Sequence, residues 1–481
     1  MSRTEYGLLG LLLLAYLALG ALFATRTPAW QAPDEPAHYN YVRQLAEGDL
    51  PVIEPGDWDQ AYLSQIVGAE FDPAYSIAEI TYEDWQPPLY YLLQTPVHRL
   101  SDGSLTAMRL LSVLLGAGVV GLAYVIGRVV FNGRVPRALA VAAFVAFLPQ
   151  HLAILGSINN DSLAELIIAA ILALLVLPWP NRPPRRRSLA LGLLLGAGFL
   201  TKATVYLMAP VVGIFLLARY WPRPDRFRQP VRSSSDLVSA LLLVFVPALL
   251  LGLLWWGRNV SVYGPLDVIA KEAHDAVVVG QPRTAEWIAQ YGLGGTVGRF
   301  LRTTFNSFWG QFGWMAAPLP AWMYGPLAAT TLAAVAGLVA MTADDRRTTA
   351  AKMTSDELRM TNDDETLTVR QSSPVIPYSD SSQRSAAGGR LPVLVLCLTF
   401  LLTIALHIFY NLTFVQHQGR YLYPALIPIA VGFTAGLGHW LRPLERRWPR
   451  AAYLLPLGIA LLLGGIALYA LWRIVPGLAP G

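Results

Sequence analysis

The chain has 481 residues, 54% hydrophobic and 14% charged, with a net charge of +5; soluble domains carry about 25% charged residues, so the composition excludes a soluble enzyme and describes a membrane protein. Its single cysteine, Cys397, excludes an intramolecular disulfide and a thiolate metal cluster, and its seven histidines form no H-x3-H zinc pattern. The basic excess belongs to loops at one membrane face, which removes the case for nucleic acid as a partner.

Leu8 to Ala24 is an apolar run longer than a usual signal-peptide core and without a clear A-x-A site, so it reads as an uncleaved first span. The polar, Pro-, Trp- and Tyr-rich stretch 25–104 is too long for a connector and predicts a small folded, helical outer loop. Within it, Asp34-Glu35-Pro36-Ala37-His38 has the chemistry of a helix start, with Gly48 as the terminator. Apolar runs long enough to span a bilayer follow at about 105–131, 137–155, 162–178, 237–256, 325–341, 391–411, 421–440 and 452–472. The run 188–218 is broken by Thr201-Lys202 and reads as two shorter spans. The expectation is therefore an all-α polytopic membrane protein of about 11 transmembrane helices.

With a cytoplasmic N-terminus, 24 of the 36 lysines and arginines fall inside. That bias predicts a multi-pass protein of the cytoplasmic membrane, with the 25–104 loop and a second large loop, 257–324, at the outer face. Aromatic and apolar residues around Phe305 to Trp314 predict a helix lying in the interface. Residues 342–390 are dominated by Thr, Ser, Asp and Arg and predict a disordered cytoplasmic insert between a core over 1–341 and C-terminal spans over 391–481.

A charge at membrane depth is costly, so each one is a functional hypothesis. Lys202, Arg258 and Arg420 fall at outer ends of spans, where Asn160 and Asp161 also lie, with Asp34 and Glu35 close by. Each has an ordinary reading: Lys202 capping a broken helix, the arginines reaching lipid phosphates, Asp161 and Asp34 starting helices. Together they suit another chemistry. Cations at the rim fit a phosphate anchored in the bilayer, and a carboxylate fits deprotonation of an incoming hydroxyl, which describes glycosyl transfer from a lipid-phosphate sugar. Asp57-Trp58-Asp59 has a spacing that can hold a divalent metal, but the spacing is common and an ordinary loop is expected.

These segments resemble, in order along nearly the whole chain, the GT-C superfamily of polyprenyl-phosphate-sugar-dependent glycosyltransferases, such as protein O-mannosyltransferases and the lipid A aminoarabinose transferase. More narrowly, the chain resembles a family of predicted bacterial membrane proteins grouped with them. Asp34-Glu35-Pro36-Ala37-His38-Tyr39 is similar to the acidic pair after the first span, and Gln86-Pro87-Pro88-Leu89-Tyr90-Tyr91 to an x-P-P-L-Y-Y element. Asn160-Asp161 looks like the second outer acid, Leu200-Thr201-Lys202 like the lysine at the helix break, and Gln418-Gly419-Arg420-Tyr421 like the late G-R-Y element. Ser307 to Trp314 points to the narrower family.

The resemblance implies inverting transfer from a polyprenyl-phosphate-linked sugar to a glycan, lipid or protein acceptor. Asp34 would be the base and Glu35 an orienting or secondary acid. Lys202, Arg258 and Arg420 would hold the phosphate, with His38, Gln86, Asn160, Asp161 and Tyr421 around the donor. No cofactor follows with certainty from the resemblance, and a divalent metal, which some members of the superfamily use, stays open. Gln86 stands where some relatives have His or Lys, which leaves the acceptor open. A transporter or flippase for a lipid-linked sugar is the alternative, and would place ionisable residues near the midplane and show internal repeats. A non-catalytic envelope protein is the third reading, in which replacing Asp34 is harmless.

Overall fold

A computed structural model describes residues 3–221, 234–363 and 381–480, with side chains outside 345–390. Helix α1 (Arg3–Arg26) is the first apolar segment, and α2 (Glu35–Glu47), α3 (Gln60–Gly68) and α4 (Leu89–Leu100) build the helical loop expected over 25–104. Then come α5 (Leu105–Val130), α6 (Val135–Phe147), α7 (Pro149–Leu155), α8 (Asp161–Val176) and α9 (Arg185–Phe199). A 3-10 turn over Ala203–Leu207 runs into α10 (Met208–Tyr220), followed by α11 (Ser234–Tyr263).

The second loop holds α12 (Lys271–Val277), α13 (Thr284–Trp309) and a small antiparallel hairpin of β1 (Gln311–Phe312) with β2 (Ala317–Pro318), Gln311 facing Pro318. The chain closes with α14 (Ala321–Asp363), α15 (Ser381–Asn411), a 3-10 turn over Gly419–Ala425, α16 (Leu426–Arg447), a 3-10 turn over Pro449–Tyr453 and α17 (Leu454–Tyr469).

Among the described residues, eight helical segments are long and apolar enough to cross a membrane, and nine if the α6 and α7 pair, bent by 61°, counts as one. The bend has a local cause. Proline has no N–H for a helical bond and disfavours helical geometry in the residue before it, and Leu148 before Pro149 is extended, at ψ 117°. The other two of the eleven expected segments, α8 and α9, have 16 and 15 residues, short of the roughly 20 that a span needs. Of the expected 342–390 insert, residues 364–380 lie outside the described residues; helical backbone continues to Asp363 and resumes at Ser381.

Helix α6 sits at the centre, every residue from Arg137 to Phe147 being buried. Its alanines let α5, α16 and α17 approach closely, as small residues do where helices pack in a bilayer. Peripheral helices turn leucines outward instead, among them Leu11 and Leu14 on α1 and Leu250 and Leu254 on α11. The 25–104 loop has a core of its own: Ala37, Ile53, Leu63, Ile66, Phe71, Ile80 and Tyr82, closed by Val278 from the second loop. That shared core makes the two loops one roof over the same end of the bundle.

Candidate active site

Asp34 precedes α2 in the left-handed region, at φ 68°, a conformation that costs a non-glycine residue energy. Its side chain caps no backbone N–H and instead faces two groups from distant segments. The Tyr82 hydroxyl donates to Oδ1 at 2.9 Å, and Arg420 Nη2 donates to Oδ2 at 2.5 Å. Burial pushes the carboxyl up, but the Arg420 charge and the hydrogen bonds from Arg420 and Tyr82 outweigh it and hold Asp34 below the usual carboxylate range. With 23% of its side chain exposed, Asp34 is still reachable.

Arg420 is delivered by the 3-10 turn before α16. The turn is pinned where Gly419 N–H donates to Ser307 Oγ at 2.7 Å, and a Cβ at position 419 would lie 2.3 Å from Phe308 N, so only glycine fits. Ser307 to Trp314 is thus a clamp: Gln311 N–H donates to Gln150 Oε1 and Trp314 Nε1 to Trp30 O. Arg420 Nε and Nη1 are buried and meet no acceptor among the described residues. Buried donors are normally paired, so two nitrogens of one fork, with three N–H groups, are left for something else.

Lys202 occupies the expected break between α9 and α10, in an extended conformation. Its Nζ donates to Asp161 Oδ1 at 2.6 Å, at the start of α8, with side chains 16% and 22% exposed. Leu89 N–H donates to Leu200 O at 2.8 Å, which draws the Pro87-Pro88 turn to this break. Gln86 Oε1 and Asn160 Oδ1 are both buried without a partner among the described residues.

His38, on α2, shares a 2.8 Å hydrogen bond between Nδ1 and the Tyr91 hydroxyl, which also accepts from Asn160 Nδ2 at 3.3 Å. Burial pushes the imidazole down to about 3, so it is neutral despite Asp34, and it feels the charges of Lys202, Asp161 and Arg420 as well. His38 therefore lies within the electrostatic field of both ion pairs. The Tyr421 ring lies beside the Arg420 guanidinium, 5.5 Å from its centroid to Cζ.

Two of the expected residues are placed elsewhere. Glu35 is fully buried and accepts from Arg109 Nε and Nη2 at 2.7 and 2.5 Å and from Ile158 N at 3.1 Å, while Arg109 also holds the carbonyls of Ala24, Thr27 and Pro28. Glu35 thus ties α2 to α5 and to the turn before α8, fixing Asp34 beside it. Arg258 donates to the Tyr263 hydroxyl, to Asn259 Oδ1 and to Pro51 O, bracing the first loop against α11 rather than meeting Asp34.

Three residues join the site that sequence reasoning did not single out. Arg109 carried a signal, a charge inside an apolar run. Tyr82 and Glu83 carried little, since only packing of the loop brings them to Asp34. Glu83 Oε2 is buried without a partner among the described residues, and burial with the nearby Asp34 charge pushes its carboxyl up to about 8.

The residues at the metal spacing do not fit a cation. Asp57 accepts from Glu54 N and the Thr81 hydroxyl, and Asp59 caps α3 through Ala61 N and Tyr62 N. Among the described residues no three His, Cys, Asp or Glu side chains converge as ligands.

Residues 85–251 match the dolichyl-phosphate-mannose-protein mannosyltransferase family. No curated protein sequence matches the chain. Solved structures similar to it include the Saccharomyces cerevisiae protein O-mannosyltransferase Pmt1-Pmt2 complex bound to the sugar donor, at 19% identity and TM-score 0.40, covering 54% of this chain and 34% of that one. ArnT from Cupriavidus metallidurans bound to undecaprenyl phosphate is 15% identical at TM-score 0.48, with 98% of this chain and 74% of that one covered. The Archaeoglobus fulgidus oligosaccharyltransferase in complex with zinc and sulfate is 13% identical at TM-score 0.42, over 96% and 52%. The chain thus spans about a third of the yeast chain and half of the archaeal one. The mannosyltransferase-family match covers Gln86, Asn160, Asp161 and Lys202, four residues of the site, so this part of the chain is similar to that family of membrane glycosyltransferases.

Proposed function

We propose that this protein transfers a sugar, with inversion, from a polyprenyl-phosphate carrier to a hydroxyl of a glycan, lipid or protein at the outer face of the cytoplasmic membrane. The observation that carries the reading is the Arg420 fork. One nitrogen, Nη2, holds the Asp34 carboxylate at 2.5 Å while the other two, with three N–H groups, are buried and unpartnered among the described residues. A guanidinium suits phosphate oxygens through paired donors, so one side chain can join the base to the leaving group. The match of residues 85–251 to a family named for a dolichyl-phosphate donor supports the carrier class.

In this mechanism the acceptor oxygen attacks the anomeric carbon from the side opposite the phosphate. A new carbon–oxygen bond forms as the sugar–phosphate bond breaks, the bonding pair leaving on the phosphate oxygen. The acceptor proton passes to Asp34, ionised across the neutral range. Arg420 and Lys202 meet the charge that develops on the phosphate. Asp161 keeps Lys202 extended towards the site, and neutral His38 adds no charge to it. With two cations already in place, transfer is expected to persist in a chelator.

The test is release of free polyprenyl phosphate by purified protein given lipid-linked sugars and acceptors, with Asp34→Asn run beside wild type. Release by wild type and not by the variant is expected. Equal release from both would remove Asp34 as the base. No release from folded wild type with acceptors present would shift the reading to transport or scaffolding.

A further inference from the structure

The far end of the bundle carries a second cationic feature, unconnected with the site. Helix α5 runs away from the loop roof to a turn at 131–134, α6 starts there, and α16 runs from the Arg420 turn to Arg447. Where these far ends meet there is a cavity of about 590 Å³ lined by Arg134, Arg137, Arg442, Arg446 and Glu445. Four guanidiniums face one carboxylate, leaving about three positive charges uncompensated in the lining.

Arg137 makes this more than a basic loop. It is 5% exposed; Nη2 donates to Gly438 O at 2.9 Å and to Glu445 Oε1 at 2.5 Å. Nη1 is buried with no acceptor among the described residues. A Cβ at position 438 would sit 1.7 Å from that Nη1, so glycine there makes room for the guanidinium. Basic loops that set orientation need only exposed arginines. They give no reason to bury one, clear a path for it with a glycine, and leave one of its nitrogens unpartnered beside three more arginines.

Exposed Trp440 and Trp448, at 52% and 58%, lie on α16 and at its end. Tryptophans so placed are anchors at headgroup depth, and basic pockets between helices at that depth suit phosphate headgroups. We propose that this cavity binds a phosphate-bearing anion, at the membrane face opposite the Asp34 site. Planar forks pair with phosphate oxygens, with Arg137 as the buried anchor and Arg134, Arg442 and Arg446 closing around it. The phosphate can be that of an anionic lipid or a free one.

The test uses the full chain. Its thermal midpoint is measured in phosphatidylcholine nanodiscs with and without phosphatidylglycerol, and in detergent with inorganic phosphate against chloride at equal ionic strength. Arg137 is left intact, because its loss strands Glu445; the variant is Arg442→Gln with Arg446→Gln. A second pair on the same face, Arg185→Gln with Arg186→Gln, controls for general surface charge.

One phosphate source is expected to raise the wild-type midpoint by about 3 °C, as binding to the folded state does. The cavity pair loses most of that shift and the control pair keeps it. A shift with phosphatidylglycerol alone assigns a lipid headgroup, and one with inorganic phosphate assigns the free anion. No shift from either source, or equal loss in both pairs, overturns the proposal.

Discussion

Two ion pairs one residue apart in sequence divide the work of this protein. Glu35 with Arg109 is sealed, 0% and 3% exposed, with every strong donor and acceptor engaged. Asp34 with Arg420 is the same chemistry at 23% and 6% exposure, with two of the three guanidinium nitrogens unpartnered among the described residues. A buried pair completed on all sides can only hold segments together. A pair left half-satisfied at a reachable position can exchange partners, and exchange is what a base and a leaving-group contact must do.

The largest expected effect breaks the open pair. Asp34→Asn keeps the shape and the Tyr82 contact but can neither take a proton nor pair as an anion with Arg420, so transfer should fall about 10²- to 10⁴-fold, with a drop in thermal midpoint smaller than that of the fully sealed pair because Asp34 is partly exposed. Arg109→Ala attacks the sealed pair. It leaves Glu35 buried and unpaired at a cost of about 3–5 kcal/mol, read as a large drop in thermal midpoint and in folded yield. If Arg109→Ala instead lowered transfer with stability intact, the division between the two pairs would be lost.

The helical arrangement was legible because apolar runs and proline positions report depth and breaks directly: Lys202 interrupts a long apolar run, and Pro149 bends one. What sequence does not report is direction around a helix axis. Lys202, Arg258 and Arg420 share a predicted depth, yet two converge with His38 and Asp34 while Arg258 turns to Pro51. Glu35, expected as an orienting or secondary acid beside the base Asp34, goes to Arg109 while the left-handed backbone at Asp34 sends that carboxylate to Arg420 and Tyr82. Tyr82 reaches Asp34 from 48 positions away, through a loop core that no periodic pattern announces.

Geometry of the fork comes next in size. Arg420→Lys keeps the charge and loses the paired donors, so the donor KM should rise roughly tenfold with a smaller change in kcat; an unchanged KM would remove Arg420 as a phosphate contact. Arg258→Ala is the matching control. It should lower the thermal midpoint by a degree or two through the lost brace and leave the donor KM unaltered, and a raised donor KM would bring Arg258 back to the phosphate.

The smallest effect separates the two carboxyls by pH. Asp34 is held below the usual carboxylate range, so it stays ionised and gives no acid limb between pH 7 and 5. Glu83, at about 8, is neutral at pH 7 and ionises above 8, adding a negative charge that offsets Arg420 and Lys202, the proposed phosphate contacts. Donor KM should therefore climb a few-fold from pH 7 to 9 in wild type and stay flat in Glu83→Gln. Stability follows the same sign. A carboxyl raised on folding holds its proton more tightly in the folded state, so its contribution is greatest below the ordinary value of 4.5 and is lost as pH rises towards 8. Glu83→Gln should remove part of that slope in thermal midpoint. A slope as steep as that of wild type, with donor KM still rising, would place the titration on Asp84, itself pushed up to about 8 by burial.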